Sequence, residues 1–380
     1  MQMTGAADIP STMRAMRLAA PAPAAEAPLR LVELPVPEPG PGEVLLRVLA
    51  CGVCRTDLHI LEGELSPHRS PVVPGHQIVG EVVAFGPGAE SVAPGGEPGA
   101  PPLALGDRVG VPWLHRADET CRFCRRGQEN LCEHALFTGW DVDGGFAEYT
   151  VAPAGFVYRL PAGMTAMAAA PLLCAGIIGY RCLRLVGIVG DDAGLPGGAR
   201  PPEGPGRAGR SAEPKRLAIY GFGSAASLCT QVAIWRGWEV YGIARDAEHR
   251  SMALELGVVW AGEASDDPGV LYDAAIVFAP AGELAVDALR RLDKGGIVAL
   301  GGIYSSPIPP IEYPWIYGER VVRSVANSTR QDARELLRDA AAIPIVSRVQ
   351  EYELEQANEA LLDLKEDRVR GSAVLRVAEG

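Results

Sequence analysis

The chain has 380 residues, which is enough for two domains with their own hydrophobic cores. Its composition is that of an ordinary globular protein, with 48% apolar and 22% charged residues, and its formal net charge is −12. Proteins that bind nucleic acids or anionic membranes usually present a basic surface, so this charge argues against both partners.

The first half of the chain predicts short strands separated by turns. β-branched runs bounded by Gly and Pro occur within residues 43–54, 77–86, 106–114 and 145–153. Residues 91–105 are rich in Gly and Pro, show no apolar period and predict an irregular loop. We therefore expect a mostly antiparallel β domain with long loops.

After residue 178 the pattern changes to alternating strands and helices. The predicted strands and helices occupy, in turn, residues 216–223, 224–237, 239–244, 246–257, 273–280, 282–296 and 296–303. Alternation of this kind predicts an α/β domain with a parallel, doubly wound sheet. A last helix and strand within residues 352–377 could rejoin the first domain.

An insertion lies just before the first strand of this second domain. Residues 189–214 are dominated by Gly, Pro and Ala and predict a surface loop. A contact between subunits and a gate over the active site are the alternatives. The domain prediction is residues 1–177 completed by 328–380, with a Rossmann domain over 178–327.

A glycine-rich turn marks a dinucleotide site. Gly221, Gly223 and Ala226 lie in YGFGSAA, between a predicted strand and a predicted helix, which is the context that this motif needs. Gly221 permits the tight turn, Gly223 lets a pyrophosphate approach the backbone, and Ala226 allows the helix to pack closely. The start of the helix then supplies amide donors to the phosphates.

The end of the next strand bears on the choice of cofactor. An acidic residue there would bind the ribose of NAD, but the expected position holds Ala244, followed by Arg245. An arginine without the carboxylate suits the 2′-phosphate of NADP. Asp246 follows directly, so a small shift of the strand end would favour NAD; NADP is the favoured cofactor and NAD stays open.

Two groups of side chains have the chemistry of metal ligands. Cys54, His76 and Cys174 stand at turns far apart in the sequence, and two thiolates with one imidazole are a known set for catalytic zinc with an open fourth position. Separately, Cys121, Cys124 and Cys132 have spacings that suit a structural zinc, which needs a fourth ligand. A metal-free lobe or a redox-active cysteine pair are the alternatives there.

Several motifs together resemble one enzyme family. They are GVCRTDLH, PGHQIVG, PWLH, TGWDVDGGFAEY, PLLCAG, YGFG and SVAN. The chain is similar over nearly its whole length to zinc-dependent alcohol dehydrogenases of the medium-chain dehydrogenase/reductase (MDR) superfamily, in particular a bacterial branch. The resemblance implies a GroES-like catalytic domain, a Rossmann coenzyme domain and reversible hydride transfer from a primary or secondary alcohol to NAD(P).

The resemblance also implies roles for individual residues. Thr56 would hydrogen-bond the bound alcohol oxygen, and His59 would be the outer end of a proton relay. Asp57 would orient the metal ligand His76. Arg55 and Arg370 would contact the cofactor pyrophosphate.

The implied substrate pocket is apolar and aromatic. In the family geometry it is lined by Leu65, Trp113, Leu114 and Trp140. This lining favours medium-chain aliphatic or aromatic alcohols over polyols, which would need polar partners. Gln77 departs from the glutamate that many relatives have after the ligating histidine, and it adds no negative charge to the site.

The resemblance supplies a fourth ligand for the cysteine lobe. In the family this zinc is held by four cysteines, and Asp118 occupies the position of the first of them. A carboxylate is a competent zinc ligand. Asp118, Cys121, Cys124 and Cys132 would then hold a structural zinc, which makes two zinc ions per chain.

The remaining expectations concern assembly and location. The family forms homodimers and homotetramers, and residues 320–327 are a candidate edge strand for such a contact. The chain lacks an apolar run of the ~18 residues that a membrane helix needs, and residues 1–30 lack the apolar core of a secretion signal, so we expect a cytoplasmic protein. A zinc-free quinone or enoyl reductase and a non-catalytic, redox-sensing zinc protein are the alternative functions.

Overall fold

The computed structural model describes residues 9–190, 214–303 and 305–378. The chain divides into two compact units. Unit 1 extends to Cys174 and also includes Thr329–Ala342 and the chain from Val346 onward; unit 2 is Ala175–Ser328 with Ile343–Ile345. Apart from its first two residues and its last one, the predicted insertion at 189–214 lies outside the described residues.

The regular elements are short strands and nine helices within the described residues. The strands are β1 (Thr12–Leu18), β2 (Leu29–Pro35), β3 (Glu43–Val53), β4 (Gln77–Phe85), β5 (Arg108–Val111), β6 (Leu114–Arg116), β7 (Leu136–Phe137), β8 (Tyr149–Pro153), β9 (Tyr158–Arg159), β10 (Arg216–Tyr220), β11 (Glu239–Ile243), β12 (Trp260–Gly262), β13 (Tyr272–Val277), β14 (Leu292–Leu300), β15 (Val321–Ser324), β16 (Val349–Glu353) and β17 (Ser372–Arg376). The helices are α1 (Arg55–Glu62), α2 (Ala166–Ala169), α3 (Ala175–Leu185), α4 (Ser224–Trp235), α5 (Ala247–Glu255), α6 (Gly282–Arg290), α7 (Tyr313–Ile316), α8 (Arg330–Ala342) and α9 (Ala357–Lys365).

Unit 1 is built on a seven-stranded sheet. Its order is β16-β17-β3-β4-β5-β9, with β8 also paired to β3. All of these pairs are antiparallel except β16 with β17. Strand β3 is buried along almost its whole length because both faces of the sheet are covered there: Val44, Leu46 and Val48 belong to the main core, and Ala50 belongs to a second cluster. The pairing of β17 with β3 returns the end of the chain to this sheet.

Unit 2 is a six-stranded sheet whose strands are all parallel. The order is β12-β11-β10-β13-β14-β15. Helices connect most successive strands, as parallel pairing requires, whereas β12 and β13, which are not neighbours in the sheet, are joined by a loop. This sheet and the β-rich unit 1 confirm the expected α/β fold class with a doubly wound coenzyme domain.

One local prediction was wrong. Strand β14 begins at Leu292, whereas the sequence pattern placed its start at 296 and extended the preceding helix to that point. The residues Asp293, Lys294 and Gly295 are exposed and not apolar, so they carry no apolar signal for a strand. The segment 91–105 is a loop, as predicted, in which Pro94–Gly96 forms a single 3-10 turn.

Candidate functional site

Unit 1 brings three metal-ligand side chains together. Cys54 lies at the N-terminus of α1, His76 immediately precedes β4, and Cys174 immediately precedes α3. Their ligand atoms all lie within 4.8 Å of one another, and Cys54 Sγ is 3.3 Å from His76 Nε2. The two turns and the helix start that hold them are therefore assembled only when the sheet of unit 1 has formed.

Asp57 connects α1 to His76. Its Oδ2 accepts a hydrogen bond from the backbone N–H of Cys54 (2.9 Å), which caps the helix, and its Oδ1 accepts from His76 Nδ1 (3.0 Å) and from the N–H of Gly75 (3.2 Å). Both Asp57 and His76 are fully buried. The carboxylate thus fixes the ring with Nε2 directed at the sulfur of Cys54.

The three donors influence one another electrostatically. Cys54 and Cys174 lie close enough to share a proton, which lowers the pKa of Cys54 well below its ordinary value and, with burial, raises that of Cys174. Burial alone would lower the pKa of His76, but Asp57 and Cys54 outweigh it and raise that pKa to about 10. Anionic sulfur and a nitrogen donor crowded into one buried site are the donor set that suits a divalent cation such as zinc.

A second group of ligand atoms lies in a surface lobe of the same unit. Asp118, Cys121, Cys124 and Cys132 place a carboxylate oxygen and three sulfurs within 4.8 Å of one another. Among the described residues, this group and the Cys54 group are the two clusters in which three or more His, Cys, Asp or Glu ligand atoms lie this close together. Four donors at one point match the closed coordination of a structural zinc.

Backbone N–H groups already stabilise negative charge in this lobe. Asp118 Oδ1 accepts from the N–H groups of Thr120 (2.8 Å) and Cys121 (2.9 Å), and these bonds hold the pKa of Asp118 below its usual range. The sulfur of Cys121 accepts from the N–H of Cys124, and that of Cys132 accepts from Asp118, both at 3.4 Å. The bond from Cys124 lowers the pKa of the Cys121 thiol and favours its thiolate.

The two residues expected to carry a proton lie on α1. The backbone N–H of Thr56 donates to Cys54 Sγ (3.3 Å), so Thr56 stands directly beside the metal-ligand group. His59 lies one turn further along, in the last turn of the helix. Its Nδ1 is hydrogen-bonded to Glu64, a residue that the sequence reasoning did not single out.

The two arginines expected to contact pyrophosphate meet at one carboxylate residue. Arg55 pairs with the Asp367 carboxylate at 2.5 Å, and the Arg370 side chain donates to the backbone oxygen of Asp367 at 3.3 Å. Residues that are far apart in the sequence thus form one cationic patch of unit 1.

The predicted dinucleotide turn lies in unit 2 between β10 and α4. Gly221 has φ +83°, and a side chain there would meet the backbone of Ala279 at 2.8 Å, so glycine is needed. Gly223 caps α4 without a side-chain hydrogen bond, and a Cβ added to it would meet nothing within 4 Å. Ala226 is fully buried. This open space at a helix N-terminus fits an approaching phosphate group.

The residues that bear on cofactor choice directly follow the end of β11. The strand ends at Ile243, so Ala244 and the exposed Arg245 follow it directly. The carboxylate of Asp246 accepts from the N–H groups of Glu248 (2.8 Å) and His249 (3.3 Å) and caps α5. Asp246 is therefore occupied in starting a helix.

An aromatic stack lies beside the metal-ligand group. Trp113 packs edge-on against His76 with ring centroids 4.9 Å apart, and it stacks with Phe137 (5.1 Å) and Trp140 (5.8 Å). His68 stacks on Trp140 at 3.8 Å and hydrogen-bonds to Asp141 at 2.7 Å. Sequence reasoning missed Phe137 and His68; the aromatic residue three positions before Trp140 was the available signal for Phe137.

One predicted pocket residue has different neighbours from the other three. Leu65, Trp113 and Trp140 pack against the main core of unit 1, but Leu114 is buried in a separate cluster with Phe156 and residues of the cysteine lobe. Phe137, which is paired with Leu114 across β6 and β7, packs against that same cluster while its ring stacks on Trp113. The role of Leu114 as a pocket residue therefore stays a prediction.

A parallel-sheet unit with a glycine-rich turn, joined in one chain to a β unit with a Cys/His/Cys group, is typical of nicotinamide-dependent dehydrogenases. Residues 40–162 match the model of the alcohol dehydrogenase GroES-like domain. The chain is 45% identical to a protein of Mycobacterium tuberculosis named "Probable alcohol dehydrogenase AdhA", over 97% of this chain and 98% of that protein.

Two further comparisons agree. An alcohol dehydrogenase of Geobacillus stearothermophilus is 33% identical over 92% of this chain and 96% of its own. A solved cinnamyl alcohol dehydrogenase of Sorghum bicolor has a TM-score of 0.79 and 26% identity, and the match covers 96% of this chain and 97% of that one. The chain belongs to the alcohol dehydrogenase family of the MDR superfamily. It is an oxidoreductase that transfers hydride reversibly between an alcohol and NAD(P), giving an aldehyde or ketone.

Proposed function

We propose that the reaction takes place at a catalytic zinc held by Cys54, His76 and Cys174. The observation that carries this proposal is the convergence of the three ligand atoms to within 4.8 Å. When bound, zinc polarises the alcohol oxygen and lowers the pKa of its hydroxyl. Asp57 holds His76 in position for this role. On this proposal unit 1 is the catalytic domain and unit 2 is the coenzyme domain.

The proton of the alcohol leaves along α1. Thr56, beside Cys54, accepts a hydrogen bond from the alcohol hydroxyl, and His59 takes up the proton at the outer end of the path. A nicotinamide bound in unit 2 would accept the hydride from the alcohol carbon, so that a proton and a hydride would account for the two hydrogens removed.

The proposal is tested on the purified protein by counting zinc and by following reduced nicotinamide with an alcohol present. We expect alcohol-dependent reduction and two zinc ions per chain. Full activity in a sample with less than about 0.1 zinc per chain would contradict the catalytic role of the metal and favour a zinc-free reductase.

We further propose that NADP is the preferred cofactor. Arg245 follows the end of β11 and is exposed, while the nearest carboxylate, Asp246, already caps α5. An Arg245→Gln variant is expected to raise KM for NADP about tenfold and to change KM for NAD by less than about twofold. Arg250 is the matched control, since it donates to the carbonyls of Ala244 and Arg245 within the protein. Equal loss with both cofactors would contradict the proposal.

The substrate class that we propose is aromatic and medium-chain aliphatic alcohols. The stack of Trp113, Phe137 and Trp140 presents flat apolar surface beside the metal-ligand group. Benzyl alcohol and hexanol are expected to exceed sorbitol in kcat/KM by more than ~10²-fold, because sorbitol hydroxyl groups would lose water without gaining partners. Comparable values would contradict it.

We also propose assembly with a second copy along β15. This strand is an edge of its sheet, and the residues before it expose Ile308, Ile311, Tyr313 and Tyr317. Sedimentation of the purified chain as a monomer at micromolar concentration would contradict it.

A cytoplasmic location likewise stays a prediction. Within the described ranges no single helix could cross a membrane by length and composition, although the bent pair Ala166–Leu173 and Ala175–Leu185 passes that test together.

A further inference from the structure

The C-terminus of α1 places a carboxylate against His59. Gly63 ends the helix with φ +78°, a left-handed conformation that favours glycine. Its N–H donates to the carbonyl of Ile60 (3.2 Å), and the N–H of Leu65 donates to the carbonyl of His59 (3.1 Å). These two bonds fold the chain back over the last turn of the helix and bring Glu64 beside His59.

The contact between the two side chains involves one ring nitrogen. His59 Nδ1 is hydrogen-bonded to Glu64 Oε2. The His59 side chain is 13% exposed, whereas that of Glu64 is 49% exposed. An ionised carboxylate can only accept, so the shared hydrogen belongs to Nδ1. In the neutral ring, Nε2 is then the nitrogen that can take up a proton.

We propose that Glu64 is a positioning residue for proton transfer in this enzyme, acting through His59. This inference rests on the proposed role of His59 as proton acceptor. Glu64 holds the ring in the tautomer whose Nε2 accepts, and its charge stabilises the imidazolium that forms.

The proton balance of this step is complete. The proton of the alcohol hydroxyl passes along the path that begins at Thr56 and forms a bond to Nε2 of His59. The ring then carries a proton on each nitrogen and one positive charge, while Glu64 stays ionised. Release of the Nε2 proton to water restores the neutral ring for the next turnover, and the hydride goes to the nicotinamide as before.

A purely structural role for the pair predicts a different result. Ion pairs with a half-exposed partner contribute little to stability. If Glu64 only fastened the end of α1, its removal would lower stability slightly and leave turnover unchanged. The two roles therefore separate when kcat and KM are measured apart from the unfolding transition.

The experiment compares Glu64→Gln, Glu64→Asp, His59→Ala and the double variant Glu64→Gln/His59→Ala in the zinc-loaded, full-length enzyme. The substrate is an alcohol whose turnover shows a primary deuterium isotope effect, so that the chemical steps limit kcat. We expect Glu64→Gln to lower kcat about tenfold with KM for the alcohol within about twofold, and Glu64→Asp to recover part of the loss. Because Glu64 acts through His59, the double variant should be no slower than His59→Ala alone.

The matched control is Glu81→Gln. Glu81 also lies in unit 1 and is partly exposed, but its carboxylate pairs with Arg47 (2.6 Å) on the neighbouring strand β3. Its removal should change stability slightly and leave kcat unchanged. Circular dichroism and urea unfolding show that each variant is folded before its rates are compared.

The outcomes distinguish two kinds of failure. If His59→Ala is slow and Glu64→Gln turns over at the wild-type rate, the positioning role of Glu64 is overturned and that of His59 stands. Independent, multiplying losses in the double variant would also overturn it, since Glu64 would then act elsewhere. If His59→Ala keeps the wild-type rate, the proton role of His59 falls, and the inference about Glu64 falls with it.

Discussion

The two metal-ligand groups of unit 1 differ in how the chain assembles them. Asp118, Cys121, Cys124 and Cys132 lie within one short segment and supply four donors; the first three are half-buried and Cys132 is buried. Cys54, His76 and Cys174 are contributed by three separate parts of the chain, with three donors and a fully buried histidine. Four local donors are suited to stabilising a lobe, whereas three donors fixed by the fold leave a position for substrate.

The largest effect is expected from Cys174→Ala, which breaks the three-donor group. Loss of the catalytic metal removes several kcal/mol of stabilisation from the transition state, so activity should fall more than ~10³-fold. Zinc should fall from two ions to one, because the lobe keeps its four ligands. Cys182→Ala, which removes a buried cysteine outside both metal-ligand groups, is the control and should keep both ions. Loss of both ions from Cys174→Ala would show that the two groups are not independent.

Asp118→Ala tests the second metal-ligand group, the one in the cysteine lobe. Removing one of four ligands should release the lobe zinc and lower the unfolding temperature, while the remaining zinc supports kcat within about threefold of wild type. Asp118→Cys supplies a sulfur in its place and should retain two zinc ions. An unchanged zinc count in Asp118→Ala would mean that the carboxylate is not a ligand.

Asp57→Asn keeps all three ligands and removes the charge behind His76. Metal affinity and kcat are expected to fall about 10- to 100-fold, as is typical when the partner of a ligating histidine is changed. Competition with a chelator measures the affinity. Asp332→Asn is the control, because Asp332 is equally buried but accepts from Thr329 at the start of α8. Equal losses in both variants would indicate general destabilisation.

His115 makes the stability of unit 1 depend on pH. Burial, with a smaller effect of Arg116, lowers the pKa of His115 from 6.5 to about 4. As pH falls, the unfolded chain binds this proton at a higher pH than the folded chain does. The free energy of unfolding is therefore unaffected by His115 above pH 6.5 and decreases between pH 6.5 and 4. His115→Leu should therefore lose about 2 kcal/mol less stability than wild type between pH 7.5 and 5, measured by urea unfolding. Identical pH dependence in the two proteins would rule this out.

The smallest effect is expected from Gln77→Glu. Gln77 is 3% exposed and follows His76 directly, so a glutamate there would add a negative charge to the three-donor group. A bound alcohol hydroxyl would become less acidic, and kcat near pH 7 should fall less than about tenfold. A rise of more than tenfold would contradict the view that glutamine suits this site.

The sequence predicted those features that depend on local patterns. The α/β fold class followed from alternating elements. Spacing within a single segment pointed to the three cysteines of the lobe, and the family resemblance added Asp118. Residue types and the family resemblance pointed to Cys54, His76 and Cys174, but only the fold brings them together. The different surroundings of Leu114 could not be predicted, because the side to which a residue points on a three-residue strand does not follow from its apolar character. The contact of Glu64 with His59 depends on the left-handed turn at Gly63, which no apolar period encodes.

The carboxylate of Asp57 joins two processes that are usually considered apart. One oxygen closes the first turn of α1 and the other holds His76. Opening of that turn and release of the His76 ring are therefore energetically coupled. By reciprocity, an ion bound to His76 must protect the first turn from opening to the same extent that an intact turn tightens binding of the ion. Amide hydrogen exchange in the first turn of α1 would therefore report on metal occupancy without any substrate present.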